Sequence, residues 1–527
     1  MQQDAGGGAS SGANDSGTAP TKSRPLSIDI DNANDAPARE LGTLGDEDDM
    51  ADMEDLSLSP AASTASLDDQ AQLMPLSMTD SASGSRPLPS LHAPLTFRDV
   101  PFSVLYVVHV LFVLLAADAI RSDEEAAEID AAAGSSSASV ATLSVDDVGI
   151  KLRSICVVNV LFAAGWLLLF IFYSKLRFVQ GSCVFSIAGL TMLGAEFFML
   201  DNSDALFLGV VVVGFAALEL LWSVKVKSGF DFVAVFFELV VEFLVMHPAL
   251  GYVTCAILAG YTIWASWIAT TISYVGHGAS PWGFATLFLY FHFYWTSNVF
   301  KNVLTIVASG ATMLCFRFKM DRRVVLHYLR RALTTSFGSI CVGSLLCPIA
   351  HLMWNVLRWA RRDESVLSRR FISLHSEQAA HFIRTYHKYS FVHIAGYGTP
   401  FYVAAHDAWA LIETHGVEAI VDDDLTSRIL LLGGNGWASV MCAMTVSAFA
   451  SGTPHTVFFA LASFAISYTT LSIATQVIAA VIKTLFVCFA ESPGRLSQLH
   501  PLIYHRFVRL AELKSFRDHK APTSPGL

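Results

Sequence analysis

The stretch from Trp282 to Phe316, WGFATLFLYFHFYWTSNVFKNVLTIVASGATMLCF, decides the class of this protein. Its 35 residues carry a single charge, Lys301. About 20 apolar residues in a helix cross the hydrocarbon core of a bilayer, so this run can span one with turns to spare. A spanning β-strand would be about half as long and would alternate apolar and polar side chains; this run does not. Comparable apolar runs lie at 98–119, 152–174, 179–200, 205–224, 231–246, 248–275, 333–357, 428–450 and 455–489. The sequence therefore reads as all-α, a polytopic integral membrane bundle of about ten transmembrane helices.

Composition agrees. The chain is 53% hydrophobic and 15% charged, with a mean hydropathy of +0.49, where soluble domains carry about a quarter charged residues. The net charge of −11 belongs to the N-terminus: residues 1–97 hold 16 acids against 4 bases, leaving 29 acids and 30 bases for the remainder. Residues 1–95 are rich in Ser, Gly, Ala and Asp, too polar to offset chain entropy by burial. They read as a disordered acidic cytoplasmic tail, ahead of a helical domain at 96–490 and a cytoplasmic C-terminal tail at 491–527. No basic, then apolar, leader opens the chain. The eight cysteines all fall inside apolar stretches without C-x-x-C spacing, which suits packing better than a disulfide framework.

Lys and Arg collect in short cytoplasmic loops. With the N-terminus inside, Lys175 and Arg177, then Lys225 and Lys227, then Arg317 to Arg331, fall inside in turn. The run at 231–246 is short and carries Asp231, Glu238 and Glu242, so it suits an interfacial helix better than a span. Both termini inside then requires one further crossing, expected within 371–412.

Three stretches resemble the choline transporter-like family of solute carriers, its fungal branch in particular: Tyr294–Val303 (YWTSNVFKNV) with Ser309 and Gly310, Arg331–Leu346 (RALTTSFGSICVGSLL), and Lys388–Gly398 (KYSFVHIAGYG) continuing through Ala405, Asp407 and Trp409 to Asp422. The resemblance implies about ten spans, both termini cytoplasmic, a plasma-membrane location, and movement of choline or a related organic cation such as ethanolamine. It departs at Thr305, where the family has His, and at Cys315 and Phe316, where it has a Trp-Tyr pair.

A quaternary ammonium is held by aromatic faces, since its nitrogen has no hydrogen to donate. Trp264, Trp267, Tyr290, Phe291, Tyr294, Trp295 and Asn298 are the candidate substrate-binding residues on two successive helices; an interfacial aromatic belt explains the same residues. Glu196, Glu219 and Lys301 are ionisable groups inside apolar runs and candidates for charge pairing or gating, a Glu219–Lys301 pair being one reading. Ser336, Gly338, Ser339 and Gly343 form a small-residue packing seam. Gly396, Gly398 and Pro400 could break a helix.

The histidines at 375, 381, 387, 393, 406 and 415 follow no helical face and no H-E-x-x-H, so no metal is expected. Nor is any cofactor, catalytic grouping or nucleic-acid partner. The expected partners are the lipid bilayer and a small cation carried by alternating access. The competing reading is a non-transporting scaffold acting through its acidic tail.

Overall fold

A computed structural model of the protein describes residues 96–134, 145–200, 203–278, 283–317, 323–362, 379, 381–414, 425–449, 456–491 and a few positions between 494 and 505. The two segments read as tails, 1–95 and nearly all of 491–527, lie outside the described residues. Among the described residues every regular element is helical. The helices are α1 (Val100–Gly134), α2 (Val145–Phe172), α3 (Lys175–Met199), α4 (Ser203–Val226), α5 (Phe230–Met246), α6 (Pro248–Gly278) and α7 (Phe284–Arg317). They continue with α8 (Arg323–Leu333), α9 (Phe337–Arg362), α10 (Ser390–Tyr397), α11 (Phe401–Thr414), α12 (Leu425–Phe449), α13 (Thr456–Ala474) and α14 (Gln476–Glu491). Nine of them, α1–α4, α6, α7, α9, α12 and α13, are long and apolar enough to cross a membrane.

Burial separates the helices into a centre and a rim. The spans of α7 and α12 are 72% buried and that of α13 is 67% buried, against 17% for α1 and α4. The rim presents large apolar side chains outward, such as Leu161, Phe207 and Ile263. In water such a surface would aggregate; against lipid tails it is the required surface. α5 has 17 residues and two faces. Asp231, Glu238 and Glu242 are on the outer one, while Phe236 stacks on Phe486 at 5.6 Å and Phe237 meets Phe170 at 5.1 Å.

Helix ends leave carbonyls without partners, and here side chains satisfy them. Lys175 folds back over the end of α2, its ammonium donating to the carbonyls of Phe170, Ile171 and Tyr173 at 2.6, 2.9 and 2.8 Å. α10 ends on Gly398 in the left-handed conformation (φ 67°), its N–H bonded to Ile394 O at 2.9 Å. A Cβ there would also strike the Arg331 guanidinium. Asp99, before α1, accepts from Ser339 Oγ at 2.5 Å and from the Phe401 backbone N–H at 2.8 Å. It thereby caps α11 from a distant part of the chain.

These contacts fix the course of the chain. The start of α9 (Gly338, Ser339), Asp99, and residues 394–401 beside Arg331 share one end of the bundle. α9 has 26 residues, which at the usual helical rise carries Arg362 about 39 Å from that end. Gly398 lies at the end of the bundle where α9 begins. Of the stretch 371–412, in which a further crossing is expected, the described residues hold the short α10 and α11 and no helix long and apolar enough to cross a membrane. Glu491, at the end of α14, accepts a hydrogen bond from Tyr397 OH at 2.7 Å. The bundle thus begins at Asp99 and finishes at Glu491 at the same end.

The seam residues of α9 face this junction. Gly338 lies under the backbone of Arg98 and Asp99, and Gly343 under the rings of Phe401 and Phe391; Ser336 and Ser339 are buried. A second close approach joins α3 to α12, where a Cβ on Gly189 would sit 2.6 Å from the Gly436 carbonyl oxygen. Gly189→Ala is expected to cost about 1–3 kcal/mol, the range for an overpacked core, seen as a lower melting temperature in detergent. Gly214→Ala, whose added methyl would meet no atom within 4 Å, is the control. Equal melting of the two variants would rule the seam out.

Candidate functional site

A cavity of about 420 Å³ lies among the most buried helices. α7 supplies one wall with Phe293, Tyr294, Ser297, Asn298, Lys301, Asn302 and Thr305. The set 294, 298, 301, 305 follows the i, i+4, i+7, i+11 spacing of one helical face. Cys347, Pro348 and His351 of α9, then Lys388 and Phe391 at the start of α10, face it. Tyr468, Thr469, Ser472 and Ile473 of α13, with Gln476, Ala479 and Lys483 of α14, close the third side. Ser427, Leu430 and Leu431 in the first two turns of α12 extend the lining toward one end.

Two helix irregularities lie beside this space. α13 and α14 form one passage interrupted at Thr475, with no glycine or proline nearby. Thr469, Thr470 and Thr475 each turn their hydroxyls back onto carbonyls of the preceding turn, Thr475 Oγ1 reaching Leu471 O at 3.0 Å and Ser472 O at 3.4 Å. Such back-bonding competes with the helical ladder and bends helices. In α9, Pro348 has no N–H to give the turn before it.

Side chains of α7 dock on that loosened part of α9. Tyr294 OH donates to Leu345 O at 2.9 Å, Trp295 Nε1 to Cys341 O at 3.0 Å, and Asn302 Nδ2 to Ser344 Oγ at 2.9 Å. Across the cavity, Lys301 Nζ donates to Ser472 Oγ at 2.7 Å and Gln476 Nε2 to Thr305 Oγ1 at 2.8 Å. Both bonds bracket the break at Thr475.

Of the seven residues proposed for substrate, Tyr294 and Asn298 line the cavity. The other five pack α7 and α6 against their neighbours. Trp264 stacks on Phe293 at 5.6 Å and donates from Nε1 to His292 Nε2 at 3.3 Å. Trp267 packs against the core shared by α2, α6 and α13, and Tyr290 meets Phe458 of α13 at 6.1 Å. Phe291 is 41% exposed beside Trp295, which is itself 3% exposed and edge-on to Tyr106 of α1 at 5.2 Å. Helix α7 is buried on nearly every side, so its aromatic residues divide among several partners.

Among the ionisable candidates, Lys301 lines the cavity and the carboxylates do not. Glu219 accepts from Ser186 Oγ of α3 at 3.0 Å, so it does not pair with Lys301, whose partner is Ser472. Glu196 lies half-buried near the end of α3. Thr305, one departure from the family pattern, is part of the lining, whereas Cys315 meets His247 at 3.5 Å near the end of α7.

The sequence reading passed over Lys388, Gln476, Ser472 and Lys483. For Lys483 a signal was present: it is the one charged residue in the run 455–489, as Lys301 is in 282–316. Ser472 and Gln476 had none, because no glycine or proline marks the interruption at Thr475.

The family described as plasma-membrane choline transporter matches residues 210–494, more than half of the chain and all of the cavity's described lining. The chain is similar to Protein PNS1 of Gibberella zeae, 29% identical over 243 residues that cover 42% of this chain and 44% of the relative. It is similar to a CTL-like protein of Dictyostelium discoideum, 24% identical over 323 residues, 59% and 58% of the two chains. Protein PNS1 of Saccharomyces cerevisiae is 27% identical over 241 residues, 42% and 44%. The chain thus spans about half the length of the curated relatives it matches. It belongs to the plasma-membrane choline transporter family, a family of multi-pass transporters and not of enzymes.

Proposed function

We propose that this protein is a secondary carrier or facilitator for a small amine of the choline class, with the cavity between α7, α9 and α12–α14 as its binding site. The observation that carries the reading is the position of the cavity. It lies inside the family-matched stretch, beside the middle of one of the two most buried spans, where two passages are irregular. Transporters bind substrate near the bilayer midplane at discontinuous helices, whose unwound backbone lines the cavity. The rings of Phe293, Tyr294, Phe391 and Tyr468 offer π faces to an ammonium group. Alternating access would hinge at Thr475 and Pro348, leaving the tightly joined α3–α12 seam as the static part.

The same reading extends to topology and location. Asp99 and Glu491 share an end of the bundle with Arg331, and antiparallel alternation brings Lys175 and Lys225 to that end. An excess of Lys and Arg marks the cytoplasmic side, so both termini are assigned to the cytoplasm of a cell bounded by this plasma membrane. Residues 1–95 are an appendage to a transporter domain at 96–490, and 491–527 a second tail.

Proteoliposomes holding the full chain are expected to take up at least one labelled choline-class amine saturably, among choline, ethanolamine and their O-substituted esters. Asn298→Trp would fill the cavity from its own wall and lower the initial rate by about tenfold or more, with an unchanged elution profile. Correctly folded protein that moves none of these amines above empty vesicles would sink the reading. Removing residues 1–95 is expected to leave uptake within about twofold; abolished uptake would contradict the proposed division into domains.

A further inference from the structure

A second cavity shares no described lining residue with the first. It is a groove of about 230 Å³ between the helical turn at 381–385 and α11. His381, Arg384 and Thr385 supply one bank, at the i, i+3, i+4 spacing of one helical face, and Tyr402, His406 and Trp409 the other, at i, i+4, i+7. His381, Arg384, Tyr402 and His406 are exposed, so the groove opens on the outer surface of the bundle. The Arg384 guanidinium lies over the Trp409 ring, 6.0 Å from its centroid. Beneath the groove the banks are joined: His387 Nε2 donates to Ala405 O at 3.0 Å, and Tyr386 stacks on Phe401 at 5.8 Å.

Phe401 ties the groove to the end of the bundle that holds Asp99, which accepts from its backbone N–H at 2.8 Å. Along α11, Trp409 is about 12 Å of helical rise from Phe401, so the groove sits in the half of the bundle nearest that end. A charged side chain facing lipid tails is costly, and an outward guanidinium here needs water or a head group. Arginine presents a planar fork that donates to two oxygens of one phosphate, and stacking on an aromatic ring holds the fork in place. His381 and His406 add ring N–H donors on the two banks. His406 Nδ1 lies 3.6 Å from the Asp407 carboxylate, which orients the ring; Asp407 is not part of the described lining. These donors suit a phosphate. The flank formed by Tyr402 and Val403, 61% and 43% exposed, suits the glycerol and acyl chains behind it. Basic pockets between spans on the cytoplasmic side take anionic lipid head groups.

Resting on the orientation proposed above, which makes the Asp99 end cytoplasmic, we propose that this groove is a binding site for an anionic phospholipid of the inner leaflet. The phosphate sits between Arg384 and His406, and the bound lipid bridges the two banks.

The test is thermal melting of the full chain in nanodiscs of phosphatidylcholine alone and of phosphatidylcholine mixed with phosphatidylserine. Phosphatidylserine is expected to raise the melting temperature by about 2 °C or more, as a ligand of the folded state does. Arg384→Gln combined with His406→Gln is expected to remove most of that rise, while melting like the wild type in phosphatidylcholine alone. Arg330→Gln, which removes an exposed guanidinium from α8, is expected to keep the rise. Should the double variant fail to fold, His406→Gln alone, at a side chain 78% exposed, is expected to reduce it. No rise in the wild type, an equal rise in every variant, or a rise of the same size from inorganic phosphate in phosphatidylcholine nanodiscs would overturn the proposal. Nanodiscs carry the lipid in both leaflets, so the result is independent of orientation, which antibody access to an N-terminal epitope on intact cells reads separately.

Discussion

A polar group in the middle of a bilayer has no water to turn to, so its partner must be another part of the protein. This constraint organises the centre of the bundle. Lys301, Asn302 and Thr305 sit in the middle of a helix otherwise fit for lipid, and each is bonded across to another helix. Their partners, Ser472, Ser344 and Gln476, lie at or beside the two places where the backbone ladder is disturbed. Polar side chains and irregular backbone thus occur together, each supplying what the other lacks.

A second polar cluster obeys the same rule with a different outcome. His292 touches His109 at 3.2 Å and Trp264 at 3.3 Å, while Tyr106 OH donates to Thr296 Oγ1 at 3.2 Å. This group is enclosed by Phe288, Phe291, Phe293 and Trp295 and lies on faces of α7 other than that of the cavity. It ties α1 and α6 to α7 and holds the helix in rotation. One long helix therefore has an aromatic side fixed to its neighbours and a polar side open to a space, and the two sides are set by residues only a few positions apart.

The bundle was legible because lipid imposes a strong signal: runs such as 282–316 admit one reading. The further crossing expected within 371–412 rested on charge alone, and the described residues there hold only the short α10 and α11, interrupted at Gly398 and Pro400. The lining of the cavity was half legible. Tyr294, Asn298 and Lys301 follow from the search for aromatic and ionisable residues, yet Trp264 and Trp295 satisfied the same search and serve as packing. Sequence periodicity gives the faces of a helix; it does not tell which face meets a neighbour when nearly all of them are buried. Lys483 lay within reach of the rule that singled out Lys301. Ser472 and Gln476 did not, because an interruption without glycine or proline looks in sequence like any apolar helix.

The central claim, that a choline-class amine binds in the cavity between α7, α9 and α12–α14, is tested most directly by a cryo-EM map of the full chain in lipid nanodiscs saturated with choline. Density inside the cavity beside Tyr294 and Asn298 is the expected result. An empty cavity, with the ligand resolved instead against Trp264 and Trp267, would contradict it.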